Sequence, residues 1–446
     1  MAPPKLTQPS GNFSELGRTG LFEHSGYIRE EFLRELSGTR WNRVVREMLA
    51  NDPVINAMFF VIEMLVRQVE WEVEPASDAN EDQQTAEFFK ECLFQDMSTS
   101  WAESLAEILS FLPWGWAYHE VVYKRRGGES RDPAINSRFT DGRIGWRKWP
   151  IRAQESRERW LLDDNGGIQA LIQRPAPQYR EIIVPIEKSL LFRTTSHKNN
   201  PEGKSLLRAC YRPWYFRQKV ENFEGIGIER DLAGLPLMAI PAQYLSENAS
   251  PSEQALATYC KELVTAVRND EQAGLLIPSD VYPETSIPQF SFNLAGTGSR
   301  RLFDTDKVIA RKNQEILMRL LADFIILGHE QVGSFALSSN KTNMFGTALG
   351  AWLESISEVI NRYAIPRLGK LNGMPAESMP KLKHQDIESI DLGELGEFIK
   401  NLSGAGVRIT PDMAAFAVEQ AKMPVPDDHN ELIGEVQEES EDDEET

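Results

Sequence analysis

At 446 residues, with 41% hydrophobic and 26% charged side chains, the chain has the apolar mass for a large packed core and the length of about two to four domains. Its formal charge of −19 argues against a surface built to hold nucleic acid tightly. Yet residues 427–446 carry eleven Asp or Glu and no Lys or Arg, so more than half of that charge belongs to one short tail.

No run approaches the roughly 18 consecutive apolar residues of a membrane span, and no membrane partner is expected. Residues 1–10 are proline-rich and polar, so no export signal is expected there. Cys92, Cys210 and Cys260 are odd in number and unpatterned in spacing; they read as buried thiols rather than a disulfide framework or zinc site.

In chain order, residues 1–37 read as a loose N-terminal arm. An amphipathic helix through Val44, Val45, Met48 and Leu49 stops at Asn51-Asp52-Pro53, and a second, apolar helix covers 54–66. The alternation Val69-Glu70-Trp71-Glu72-Val73-Glu74-Pro75 marks a half-buried strand. Helices follow over 82–94 and 100–112. Strands are predicted over 118–123, 144–149, 160–162, 168–173 and 182–192, with a hairpin turn at Gly166-Gly167.

A long helix over 204–231 has Leu206, Leu207, Cys210, Trp214, Val220 and Phe223 as its apolar side, with Pro213 expected to kink it or limit its start. A small mixed insert over 232–299 contains a strand at 235–240 and a helix from Pro251 capped by Ser250. A second long helix begins at Asp304 or Thr305 and ends at Gly328. The segment 329–343, rich in Ser, Asn and Gly, reads as a mobile polar loop. A third helix runs over 345–371 with a kink expected at Pro366. Two short helices at 392–402 and 411–421 close the fold, and residues 426–446 read as a disordered acidic tail.

Catalytic motifs fail one by one. Gly203-Lys204-Ser205 resembles the end of a phosphate-binding loop, but the glycine required five positions earlier is Lys198. Gly225-Ile226-Gly227 lacks its third glycine. Six histidines include no pair spaced for one metal, and His119 and Glu120, adjacent on a strand, point to opposite faces. The expectation is a chain that is not an enzyme, with no catalytic residue, cofactor or metal. Two polar groups are candidate contacts for DNA phosphates: Lys307, Arg311, Lys312 and Arg319 on the second long helix, spread over a wide arc, and Ser338, Ser339, Asn340, Lys341 and Thr342 in the loop.

Several stretches resemble the portal proteins of tailed bacteriophages, specifically those of Mu-like phages: Asp52-Pro53-Val54-Ile55 before the Trp71 strand, Gly203-Lys204-Ser205-Leu206-Leu207-Arg208 leading to Tyr211-Arg212-Pro213-Trp214-Tyr215-Phe216, Ile228-Glu229-Arg230 before Gly234-Leu235-Pro236, and Leu402-Ser403-Gly404-Ala405-Gly406-Val407-Arg408-Ile409-Thr410. The resemblance covers about residues 40–425.

It implies an α+β portal-like fold: an α+β wing (38–203, with a long kinked helix at 344–373), stem helices (204–231 and 300–328), a mixed clip insert (232–299), a channel loop (329–343) and a short helical crown (386–425). It further implies a homo-oligomeric ring, in the family usually a dodecamer, that passes double-stranded DNA during packaging, retention and ejection. The implied partners are the terminase packaging motor, the major capsid protein and a head-tail adaptor; the implied location is the portal vertex of the virion, after assembly in the host cytoplasm. A passage for a polyanion should hold it weakly, and an acidic wall with few mobile cations does so. The sequence leaves two alternatives open: a head-tail adaptor or minor head protein without a channel, and a nucleotide-dependent DNA-processing enzyme built around Lys204.

Overall fold

The computed structural model describes residues 17–233, 235–246, 248–266, 277–283, 285–295, 304–319 and 335–385. The expected crown, the acidic tail and most of the segment after the second long helix lie outside these residues. In chain order the elements are β1 (Glu23–His24), β2 (Tyr27–Ile28), α1 (Gly38–Asn51), α2 (Pro53–Gln68), β3 (Trp71–Glu74), α3 (Asn80–Phe94), α4 (Trp101–Ile108), α5 (Phe111–Trp114), β4 (Trp116–Glu120), β5 (Val122–Arg125), β6 (Ile144–Lys148), β7 (Arg157–Leu162), β8 (Ile168–Gln173), β9 (Ile182–Pro185), β10 (Ser189–Arg193), α6 (Leu207–Ala233), β11 (Leu235–Ala239), α7 (Pro251–Ala266), β12 (Ser291–Ala295), α8 (Thr305–Arg319), α9 (Phe335–Val359), α10 (Ile365–Leu371) and β13 (Lys381–His384).

The chain forms two compact units. The described parts of Met1–Asn42, Phe59–Ser205 and Glu330–Thr446 make one; those of Arg43–Met58 and Leu206–His329 make the other. Residues 43–58 therefore go with the helical unit, although the sequence placed them with the α+β body.

The first unit is a set of small antiparallel sheets under helices: β4 with β10, β5 with β6, β3 with β13, and the three-stranded β7-β8-β9. Tryptophan fills its interior. Trp71, Trp101, Trp149, Trp146 and Phe89 meet in succession, ring centroids 5.2, 6.3, 5.1 and 5.9 Å apart, mostly edge to face. Such contacts add about 0.5–1.5 kcal/mol each beyond the area they bury. A second cluster joins Trp116 and Tyr118 of β4 to Trp160, Leu171 and Val184 of the three-stranded sheet.

Local chemistry explains the helix starts. Ser100 and Glu103 form a reciprocal capping box ahead of α4, and Asp52 accepts from Val54 N and Ile55 N at 3.0 Å each, satisfying two orphan donors of α2. In the arm, residues 17–37 depart from the loose segment expected. The β1-β2 hairpin turns at Gly26 (φ +84°), whose carbonyl accepts from Trp160 N at 2.9 Å, while Tyr27 Oη donates to Glu158 at 2.6 Å. A methyl group on Gly26 would lie 1.9 Å from the Trp160 carbonyl oxygen, so glycine is required there.

The polar segment expected to be a loop is partly helix. From Phe335 the backbone is α-helical, continuous through Ser338–Thr342 to Val359. Ser, Asn and Thr cost a helix only a few tenths of a kcal/mol each, and no Gly or Pro interrupts 335–345. Where a kink is expected at Pro366, the backbone makes a π turn over Ile360–Ala364, and Pro366 sits in the first turn of α10.

Three side chains fasten this region. Asn361 pairs through its amide with both backbone groups of Leu382 in β13 (2.9 and 2.7 Å), and Asn372 does the same with Ile144 in β6 (2.8 and 2.9 Å). Arg367 donates to the carbonyls of Ser189 (2.6 Å) and Ile186 (3.1 Å).

The second unit is built on α6 and α8. Its insert pairs β11 antiparallel with β12, Leu237 opposite Asn293, and adds α7, which opens on a Ser250–Glu253 box. Strand β12 has no counterpart among the predicted elements. Helix α6 starts at Leu207 and runs through Pro213, so the proline does not set its start.

Candidate nucleic-acid interface

Helices α6 and α8 pack antiparallel, touching at three levels: Cys210 Sγ lies 3.9 Å from the Ile316 carbonyl oxygen, the Arg217 guanidinium bonds the Asn313 amide oxygen, and Thr305 Oγ1 bonds the Glu224 carboxylate. Arg217 also donates to Asp52, the residue that caps α2. The two side chains are 5% and 1% exposed. One guanidinium thus joins the α1-α2 junction, α6 and α8 inside this unit, and burial raises the Cys210 thiol to about 12.

This packing sorts the four predicted cations of α8. Lys312 is turned onto its neighbours, 2.7 Å from the Glu315 carboxylate and 5.5 Å from the Phe216 ring centroid, with only 17% of its side chain exposed. Lys307 is 85% exposed and pairs with Asp304 at 3.0 Å, next to the backbone bond Lys307 N→Asp304 that caps the helix. Arg311 and Arg319 are exposed and have no carboxylate within ion-pair distance among the described residues. On a helix Lys307 and Arg311 are one turn apart and share a side, whereas Arg319 lies about 120° around the axis from Lys307, nearer the angular position of Lys312, so the three exposed cations are spread over a wide arc rather than gathered on one face.

Ser338, Ser339, Asn340, Lys341 and Thr342 occupy successive helical positions in α9, spread around its axis rather than along a loop. The residues before Phe335 lie outside the described part.

The groups that resemble catalytic motifs are used internally. Gly203 (φ +53°) backs onto Gly115, Lys204 N donates to Thr194 Oγ1 at 2.8 Å, and Ser205 Oγ donates to the Pro113 carbonyl at 2.5 Å. The turn closes on the end of β10 and on α5, and its Lys204 N–H is spent on Thr194. His119 is wholly buried, with Nδ1 2.8 Å from the Trp149 carbonyl oxygen, and burial pushes its pKa down to about 4. Glu120 points the other way. Against the opposing effect of its own burial, the Lys188 ammonium at 2.8 Å and the Arg152 guanidinium hold its carboxyl below the usual range. Among the described residues no cluster of His, Cys, Asp and Glu could hold a metal ion, and all three cysteines are buried thiols.

A family model described as the portal protein of Mu bacteriophage matches residues 43–417. The chain belongs to this family. The Mu-type portal fold is shared with solved structures at low identity. One, described as the neck of an empty GTA particle computed with C6 symmetry, is 11% identical, with a TM-score of 0.51 over 85% of this chain and 93% of its own. A second comes from the virion of a native gene transfer agent particle, at 11% identity and a TM-score of 0.51 over 86% and 93%. A third, the neck of a native GTA particle computed with C12 symmetry, is 10% identical with a TM-score of 0.50 over 86% and 93%. The mixed helix-and-strand architecture of this portal-family chain is therefore the architecture of those neck components.

Sequence reasoning missed the Asp52–Arg217–Asn313 network. A signal was present: Arg217 follows Cys210 by seven residues and Trp214 by three, which puts a cation in the apolar stripe of α6.

Proposed function

We propose that the chain is the subunit of a portal ring, a channel at the vertex of a virion through which double-stranded DNA is packaged, retained and ejected and to which the tail attaches. The observation that carries this reading is the antiparallel α6-α8 pair bracketing a small β11-α7-β12 insert, in a chain of the Mu-type portal family. The pair serves as the stem, the insert as the clip that meets the terminase motor and later a head-tail adaptor, and the α+β unit as the wing that meets the capsid. A twelvefold ring is consistent with the C12 symmetry used for one of the neck structures.

In this reading the protein works by shape and weak electrostatics rather than by catalysis. Lys307, Arg311 and Arg319 are the exposed cations of the stem helix α8, where a few scattered cations on an acidic chain give transient phosphate contacts that break as the duplex advances. Lys341 supplies a comparable contact from the start of α9, with Ser338, Ser339, Asn340 and Thr342 as uncharged neighbours. Electron microscopy of the purified protein and of particles tests the assembly: rings with a central opening are expected, and a stable monomer in both preparations would sink the reading.

A further inference from the structure

The connection between β5 and β6 continues their hairpin as a finger. Its backbone is paired along its length: Arg126 N to Arg143 O and Gly142 N to Arg126 O at 2.8 Å, Gly128 N to Phe139 O at 2.9 Å, Ser137 N to Gly128 O at 3.0 Å. Two of its cations point inward and fix its shape. Lys124 lies 3.1 Å from the Asp96 carboxylate, with side chains 4% and 1% exposed, and donates to the Asn136 carbonyl at 2.6 Å; Asp96 also accepts from Ser137 Oγ and Arg138 N. Arg126 is held by Glu91 and Asp141 and lies between the Phe88 and Phe139 rings, 4.9 and 4.0 Å from their centroids. These anchors account for the inward charges.

Four other arginines point outward. Arg125 and Arg143 stand at the base of the finger, Arg138 midway and Arg131 near the tip; all are exposed and none has a carboxylate within ion-pair distance among the described residues, although Arg125 Nε donates to the Gly142 carbonyl at 3.1 Å and the Arg143 guanidinium lies 5.1 Å from the Phe88 ring centroid. Of the finger's acids, Asp141 is matched to Arg126 and Asp132 caps the turn at Ala134 N (3.0 Å). A preformed string of guanidinium groups remains, on a chain whose overall charge is −19.

We infer that this finger docks the acidic segment 427–446 of this protein. The charges are complementary: four unmatched arginines on one side, eleven carboxylates without a single cation on the other. Covalent attachment raises the segment's local concentration to about the millimolar range, above that of any free competitor. An extended peptide can step its carboxylates around Glu129 and Asp132, which a rigid phosphate backbone would meet as repulsion. The inference stands apart from the portal reading and applies to the isolated chain. Its consequence is that the tail screens the finger from nucleic acid.

The test places a photo-crosslinking residue at Ile135, exposed beside the tip, in the full chain. At about 50 mM salt, cross-links to peptides from 427–446 are expected; they should vanish at about 1 M salt, where the Debye length is about 3 Å. They should also fall about tenfold in R125Q/R131Q/R138Q/R143Q, and they should fall severalfold in R131Q/R138Q, whose unfolding midpoint should match that of the parent because it spares the Arg125–Gly142 hydrogen bond and the Arg143–Phe88 contact. As a second readout, truncation after Pro426 should raise salt-sensitive retention of double-stranded DNA about tenfold, a gain removed by the same four changes. Cross-links confined to other segments, or insensitive to the four changes, would overturn the inference. So would equal DNA capture with and without residues 427–446, which would make the finger a nucleic-acid contact instead.

Discussion

Arg217 and Asp52, 165 residues apart in the chain, form an ion pair that is almost entirely withdrawn from solvent. Asp52 uses one carboxylate oxygen to cap α2 and the other to hold the guanidinium, while the guanidinium reaches across to Asn313. Withdrawing both charges from water costs several kcal/mol, repaid only while each donor and acceptor stays matched.

Removing one partner should therefore be worse than removing both. Arg217→Met or Asp52→Leu alone should lower stability by about 3–5 kcal/mol, and the double change should recover at least half of that loss. Urea unfolding midpoints of the four proteins close the cycle; additive losses would mean the pair is not coupled.

His119 makes stability depend on pH. Its pKa falls from 6.5 to about 4 on folding, so the unfolded chain binds a proton that the folded chain does not over the interval between those values. The stabilisation is fully present above pH 6.5 and is lost progressively as pH falls toward 4, by about 1.4 kcal/mol per pH unit at most. Denaturant midpoints at pH 7 and pH 5 should differ less in His119→Leu than in the parent, and an unchanged difference would assign the effect to other groups.

Gly26→Ala should detach the β1-β2 hairpin from β7. The added methyl group would collide with the Trp160 carbonyl, and the positive φ is itself strained for alanine. Hydrogen exchange should show the Trp160 amide losing protection with the rest of the α+β unit unaltered.

Because Ser338–Thr342 are helical, deleting them would turn everything before them by about 140° about the helix axis, so loss of function after deletion would carry little meaning. Substitution is the sharper test. Lys341→Glu should leave assembly intact and reduce the fraction of particles retaining a full genome, read by particle density; full particles at the parental yield would remove Lys341 from the DNA path.

The sequence was most legible where period and punctuation agree. Asn51-Asp52-Pro53 separates α1 from α2, Gly166-Gly167 joins β7 to β8, and Ser250 and Asp304 open their helices because caps and turns are local chemistry. It was least legible where the partner is distant. Lys381-Leu382-Lys383-His384 is too short to announce a strand and becomes one only because Glu70 to Glu74 offers it an edge. The Ser-rich stretch before Met344 misled because composition was weighed as if it broke helices. Among the candidate site residues, helical spacing already spread the four cations of α8 over a wide arc, but only the packed structure shows that Lys312 is turned onto Glu315 and the Phe216 ring.

The two asparagines, one within the π turn and one at the end of α10, have a mechanical consequence. Asn361 and Asn372 each occupy a place in a sheet edge, one on β13 and one on β6, while Arg367 grips two carbonyls between them. A helix tied at both ends to different strands cannot roll about its own axis without breaking those ties together. Torque applied to α9 is accordingly absorbed upstream of Ile360, and the segment from Ile360 to Asn372 behaves as a fixed bearing for the helix that precedes it.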